Sequence, residues 1–266
     1  MGIQSQKRFG VVGAGLVGTL FEKVPGYEVV HRNEWAPLRW DGLVNTAAIT
    51  GRPACEETHF THVLSANVRL PMKMFEACEK GLDRYDTLAR LEIAGDFPSF
   101  PPYENTQKPI PFITFSTSAV YRAPDRVDQT VTEDSPLYPM NSYSASKILM
   151  EAMLPHDLCF IFRIPRVIAG TEHPNDFGQK VQKWQVCEDL YESVIYPWTI
   201  IKAVERALTE PEIPFGVYNL ASETVHLPSY IRENYDWKGE IVEPRSLGFC
   251  PAVIFDTGKA EKVGLI

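Results

Sequence analysis

Cysteine is sparse and scattered in this chain. The five residues, Cys55, Cys78, Cys159, Cys187 and Cys250, are odd in number and never form a CxxC pair. That argues against a disulfide framework and against a thiolate zinc site, and predicts buried free thiols in a reducing cytoplasm. Basic clusters are lacking too. Lys and Arg total 26 against 34 Asp and Glu, and no run of them offers the concentrated basic face that nucleic acid requires. A local basic patch that holds a phosphate stays compatible with the net charge of −8. No apolar stretch approaches the roughly 20 residues of a membrane helix, so no membrane partner is expected. Met1 to Arg8 is polar and shows no secretory leader. Among the six histidines, His59 and His62 could share a helix face, but no carboxylate or cysteine completes a ligand set, so a metal-free site is expected. Internal repeats and low-complexity segments do not stand out.

What is present is an ordinary globular composition. Hydrophobic residues make up 44% of 266, enough to bury a real core. Strand and helix patterns alternate. Phe9–Val12 reads as a short buried strand leading into a glycine turn and a helix to about Lys23. Tyr27–His31 and Leu43–Ala48 read as strands, Val63–Lys80 as an amphipathic helix, and Pro111–Ser116 as a strand with its proline confined to the first position. Ser142–Met153 is a helix and Leu158–Arg163 a strand. Such alternation specifies an α/β class: a Rossmann-like, doubly wound parallel sheet with a smaller C-terminal substrate lobe. The expected division is 1–165 for the dinucleotide-binding domain and 166–266 for most of the lobe, with helix 198–208 returning to the first domain. Two lengths are unusual. The link from His31 to Leu43 is too short for a crossover carrying a helix, so a strand and helix are expected to be missing there. Gly81–Pro109 is long and proline-rich towards its end, and reads as a surface insertion.

Gly13-Ala14-Gly15-Leu16-Val17-Gly18 places GxGxxG between a strand and a helix. The glycines permit the tight turn, the approach of a pyrophosphate and close helix packing, while the helix N-terminus supplies N–H donors. The second strand ends in His31-Arg32-Asn33, without the carboxylate that binds the ribose hydroxyl of NAD. Arg32 suits the 2′-phosphate of NADP, so NADP is the expected cofactor and NAD the alternative.

Tyr143 and Lys147 stand four apart, on one face of a helix. A phenol titrates near 10, and a neighbouring ammonium favours its phenolate, so this pair can exchange a proton with a substrate oxygen while a cofactor moves hydride. Upstream, Phe115-Ser116-Thr117-Ser118-Ala119 puts hydroxyls at a strand end, where one can bind the same oxygen.

With these residues in this order, the chain resembles the extended short-chain dehydrogenase/reductases, a family of nucleotide-sugar epimerases, dehydratases and reductases. Val44–Ala48, Asn67-Val68, Glu133-Asp134 with Pro136 and Pro139, Glu151, and Phe162-Arg163 complete the resemblance, which spans nearly the whole chain. It implies Tyr143 as acid/base, Lys147 as its activator and ribose contact, and Thr117 as the polarising hydroxyl, with Ser116 and Ser118 as fallbacks. It places Gly13, Gly15, Leu16, Val17, Gly18, Ala47 and Ala48 around the cofactor, and Asn67 in support of the active-site helix. The GxGxxG spacing is that of the atypical branch. Dehydratases carry an acidic pair where this chain has Ser118-Ala119, so elimination is not expected. The stretch Val186–Ser193 with Tyr196-Pro197 is similar to dTDP-4-dehydrorhamnose reductase, except that glycine and proline are replaced by Glu192 and Val194. The expected activity is therefore reduction of a keto sugar, with Ser118, Arg163 and Arg166 on the substrate side. A nucleotide-sugar 4-epimerase with tightly held NAD is one alternative. A non-catalytic NADP-binding regulatory subunit, like that of methionine adenosyltransferase, is another. The resemblance also implies a homodimer through helices 63–80 and 142–153.

Overall fold

A computed structural model describes residues 7–32, 34–35, 39–50, 55, 59–80, 109–122, 128–244 and 253–266. Six strands form the central sheet: β1 (Phe9–Val12), β2 (Tyr27–Val30), β3 (Gly42–Asn45), β4 (Phe112–Thr117), β6 (Phe160–Ile164) and β10 (Gly216–Asn219). Their order is β10-β6-β4-β3-β1-β2, and every pairing is parallel. β1, β3 and β6 are buried along their whole length, as strands covered on both faces must be. The chain runs from β1 outward to β2, then back across β1 to β3. The order therefore reverses beside the carboxyl end of β1, where a doubly wound sheet opens a crevice.

Both faces of the sheet are covered. On one, Ile200, Ala203, Val204, Ala207 and Leu208 of helix α6 (Pro197–Thr209) pack against Phe9, Val11, Val44, Ile113 and Phe162. On the other, Met74, Ala77 and Cys78 of α3 (Leu70–Lys80) and Met150 of α4 (Ser142–Met153) pack against Val12, Leu43, Phe112 and Ile161. β10 comes from the stretch expected to be mostly lobe, and it follows α6 back onto the sheet edge beside β6. The smaller lobe gathers its own core around Phe177, Val181, Val194, Leu227, Ile231 and Trp237. It contains β7 (Arg166–Val167), α5 (Phe177–Val181), β8 (Val186–Glu188), β9 (Tyr191–Ile195), β11 (Glu223–His226), α7 (Leu227–Tyr235) and β12 (Glu240–Val242). β5 (Thr130–Val131) pairs with β13 (Ile254–Phe255), and α8 (Gly258–Lys262) ends the chain's secondary structure.

Several element ends differ from expectation for identifiable reasons. Helix α1 spans Leu16–Thr19 and does not reach Lys23. Leu20, Phe21, Glu22 and Val24 instead make i→i−3 backbone bonds, and Pro25, which disfavours helical geometry in the residue before it, stands just ahead of β2 at Tyr27. β3 ends at Asn45 rather than Ala48, since Asn45 turns its side chain to the Ala47 amide and Asn67 takes both backbone groups of Ile49. The helix expected from Val63 begins as α2 (Phe60–Leu64) and passes through a π turn (Ser65–Arg69) before α3. Among the described residues between β2 and β3 there is no further strand. The expected insertion at 81–109 lies almost entirely outside the described residues.

Candidate active site

The sheet's reversal point opens into a cleft of about 440 Å³. Its floor is the glycine turn, contributing Gly15, Leu16 and Val17, together with Asn45, Thr46 and Ala48 beyond β3. Gly13 has φ +112°, and a Cβ there would lie 2.6 Å from the Ala47 amide nitrogen. A Cβ on Gly18 would lie 1.7 Å from the Gly13 carbonyl oxygen. These two glycines, with Ala47 packed beneath them, are needed for the turn to close; none of the three lines the cleft. Gly15 is different. Its backbone is extended, and a Cβ built on it meets nothing within 4 Å. Glycine there keeps open the space above the turn, which is what an approaching pyrophosphate needs. Thr46 holds the turn from below, its hydroxyl 3.0 and 2.8 Å from the carbonyls of Val12 and Gly13.

Gly15→Ala is accordingly expected to fold with unchanged thermal stability while weakening dinucleotide binding by about tenfold or more, a loss of roughly 1.4 kcal/mol or greater. Gly18→Ala is expected to lose stability instead. Thermal melts alongside NADPH fluorescence titration check both, and a Gly15→Ala protein that binds normally would remove the turn from the site.

The opposite wall comes from β4, the short turn after it, and α4. Thr117 caps that turn, its Oγ1 accepting the Ala119 amide at 3.2 Å. Asn141 caps α4 by accepting the Ser144 amide on its Oδ1, and the Asn141 amide donates in turn to the Ser144 hydroxyl. This reciprocal cap starts the helix one residue before Tyr143, which fixes the phenol at the cleft's edge. Thr117, Ser118, Asn141, Tyr143 and Lys147 all line the cleft. Lys147 is almost fully buried, and its Nζ donates to the Phe115 carbonyl at 2.8 Å. Asn67, inside the π turn, donates to Ser146 of α4 and to the Ile49 carbonyl while accepting the Ile49 amide. It thus couples the cleft floor to the helix that carries Tyr143. A π turn is an energetically costly irregularity that concentrates at functional positions.

Burial lowers Lys147 from its ordinary 10.5 to about 8, opposed first by the Glu151 carboxylate and then by Cys55. Between pH 8 and the unfolded value, the unfolded chain holds a proton that the folded chain has released. Stability therefore rises with pH across that window, and below pH 8 the burial cost of the charged form is carried in full. Lys147→Met is expected to be more stable than the parent at pH 7 by roughly 1–3 kcal/mol, with the gap closing towards pH 10. Urea unfolding at pH 7 and 9.5 measures this; a variant less stable at both would show that the surroundings compensate the buried ammonium in full.

The lobe supplies the cleft's outer end: Arg166, Val167, His173, Asn175, Phe177, Lys180 and Glu192. Arg166 bonds Glu192 at 2.7 Å and lies over the rings of Phe177 and Trp184. Glu192, a departure from the reductase pattern, is thus the counter-ion of Arg166, brought beside it by the parallel pairing of β7 and β9. Lys180 sits below the usual lysine range, through burial first and the Arg166 charge second. Asn175 donates to Thr50 at 3.1 Å and so bridges the lobe to the cleft floor. Asp176, buried, carries that loop by accepting the amides of Ala169, Thr171 and Gly178. Lys180 and Asn175 belong to no sequence motif, their only signal being that they follow the Arg166 strand, and Glu192 is marked in the sequence only as a departure from the reductase pattern.

One expected substrate contact, Arg163, and one fallback hydroxyl, Ser116, are engaged by Glu151. Arg163 is buried and does not line the cleft. Its guanidinium is engaged by Glu151 at 2.6 Å, the Tyr121 hydroxyl at 2.8 Å and the Glu133 carbonyl at 2.8 Å, so it is a structural ion pair. Ser116, although it borders the cleft, gives its hydroxyl to Glu151, which leaves it unsuited to a substrate oxygen. Arg32 is exposed two residues past β2 and does not line the cleft. The described cysteines, Cys55, Cys78, Cys159 and Cys187, are buried free thiols. Among the described residues no helix is long and apolar enough to cross a membrane.

The same architecture occurs in solved structures. A dTDP-4-dehydrorhamnose reductase from Bacillus anthracis, in complex with NADP, superposes with a TM-score of 0.66 at 16% identity, over 98% of this chain and 94% of that one. A UDP-rhamnose synthase from Acanthamoeba polyphaga mimivirus gives 0.66 at 15%, over 98% and 100%. A UDP-glucuronic acid 4-epimerase from Bacillus cereus, in complex with NAD, gives 0.63 at 17%, over 96% and 91%. No curated protein sequence matches the chain. A sequence model described as the NAD dependent epimerase/dehydratase family matches residues 32–185, more than half of the chain. The chain therefore belongs to the NAD dependent epimerase/dehydratase family.

Proposed function

We propose that this protein is an NAD(P)-dependent oxidoreductase that reduces the carbonyl of a nucleotide-linked or related sugar, with Tyr143 as the proton donor. The observation that carries this reading is that Tyr143, Lys147 and Thr117 line the same cleft as the open glycine turn. Gly15, Leu16 and Val17 would cradle the pyrophosphate, Ala48 and Lys147 would lie along the ribose, and Arg32 would take the 2′-phosphate of NADP. Bound there, the nicotinamide supplies the hydride.

The rest is the chain's own work. Thr117 accepts a backbone N–H on its oxygen, which leaves its own proton to donate to the substrate oxygen. Tyr143 protonates that oxygen as negative charge develops on it. Lys147, held by the Phe115 carbonyl, favours the phenolate left behind. Ser118 and Arg166 orient the sugar and its anionic tail, with Glu192 fixing the arginine. With Arg163 and Ser116 committed to the interior, Arg166 is the arginine available for that role.

Oxidation of NADPH and NADH is to be followed against a panel of nucleotide 4-keto sugars. Net oxidation with at least one sugar is expected, faster with NADPH. Interconversion of sugars without net cofactor oxidation would favour the 4-epimerase reading, which uses the same three groups. A tightly bound dinucleotide that no sugar oxidises or reduces would favour the regulatory-subunit reading.

A further inference from the structure

Ser116 of β4 and Arg163 of β6 are registered partners on adjacent strands, and both turn to one carboxylate from the covering helix. That carboxylate is Glu151, one helical turn beyond Lys147 and 2% exposed. Its Oε1 accepts the Ser116 hydroxyl, and its Oε2 accepts Arg163 Nη2 and Nε at 2.6 and 3.1 Å. The network continues outward. Arg163 donates to the Tyr121 hydroxyl, which donates to Asn219 Oδ1 on β10, whose own amide donates to Glu133.

We propose that Glu151 is a positioning residue for proton transfer: it ties the strand end bearing Thr117 to the helix bearing Tyr143 and Lys147, and supplies the buried negative charge that keeps Lys147 an ammonium ion. The proposal rests on reading Tyr143 and Lys147 as the proton-transfer pair.

Two observations separate this role from simple scaffolding. First, a buried ion pair alone is replaceable by apolar residues without loss of stability, so an isolated Glu151–Arg163 pair needs no further explanation and provides none. Here a third charge is near: Lys147 stands one helical turn before Glu151, its Nζ bonds the Phe115 carbonyl, and the charge of Glu151 is the foremost influence raising it against its burial. Second, the attachment points are the residues immediately next to the cleft groups. Ser116 precedes Thr117, and Glu151 shares a helix face with Tyr143 and Lys147. The groups facing Lys147 are the Phe115 carbonyl from β4, Glu151 from its own helix, and Cys55. Those facing the Glu151 carboxylate are Ser116 and Arg163, with Tyr121 reached through the arginine, while His156 meets only its backbone carbonyl.

The test reads Lys147 directly, with no substrate. Lysine side chains labelled with 13C are titrated by NMR in the full chain, Lys147 being assigned by the signal missing from Lys147→Met. Glu151→Gln is expected to lower the Lys147 midpoint by about one unit or more. Glu151→Gln/Arg163→Gln leaves no guanidinium stranded without its carboxylate, so it carries the test where the single variant fails to fold; its midpoint is expected to fall as well. Glu151→Asp keeps the charge and is expected to hold the parental midpoint. An unchanged midpoint in a folded variant lacking the carboxylate would overturn the proposal. Absence of sugar reductase activity would leave this titration intact, so the two readings fail separately.

Discussion

Tyr143→Phe is expected to lower turnover of a keto sugar by about 10²- to 10⁴-fold, the usual worth of a positioned proton donor, while leaving dinucleotide affinity and the thermal midpoint nearly unchanged. The substitution removes one oxygen at the cleft edge and alters no core packing, because the phenol is only half-buried where the capped start of α4 holds it. The expected loss lies in kcat and equally in kcat/KM, since the tyrosine's proton matters only as charge builds on the substrate oxygen. Stopped-flow decay of NADPH absorbance with parent and variant measures it. A fall in affinity for the cofactor without a fall in rate would place Tyr143 in binding instead.

Arg163→Met should do the reverse, damaging the fold throughout the cleft's foundation. The guanidinium is 4% exposed and is the charged partner of Glu151, so its loss strands a carboxylate in the interior. Breaking a buried pair from one side costs about 3–5 kcal/mol, or on the order of a 10 °C fall in Tm for a chain of this size. The companion Glu151→Met/Arg163→Met removes both ions and is expected to recover most of that loss. Calorimetric melts of the two variants decide the matter. An Arg163→Met protein as stable as the parent would return this arginine to the list of substrate contacts.

The glycine turn, the buried strands and the helix carrying Tyr143 and Lys147 were legible because local rules and global fold agree there. Four consecutive buried residues in Phe9–Val12 read as a central strand, and Ser142–Met153 occupies the boundaries its pattern implies. That the described residues between β2 and β3 hold no further strand was expected from chain length alone. The ends of α1 and β3 were not, because they are set by contacts across the fold: Asn67 captures Ile49 from a helix 18 residues away. The π turn at Ser65–Arg69 has no sequence signature at all. The arginines show the same limit most clearly. Arg163 and Arg166 are alike by composition, yet they stand on strands of different sheets, β6 and β7, so one is held by a carboxylate in the interior and the other lines the cleft. Only the partners, Glu151 from α4 and Glu192 from β9, tell them apart, and both are distant in sequence.

Transfer of deuterium from NADPH carrying it at the nicotinamide C4 position tests the central claim most directly, using a nucleotide 4-keto sugar as acceptor and mass spectrometry of the product. A sugar alcohol one mass unit heavier is expected with the parent protein, and product formation slowed at least about 100-fold with Tyr143→Phe. Unlabelled product, or equal rates from the two proteins, would contradict it.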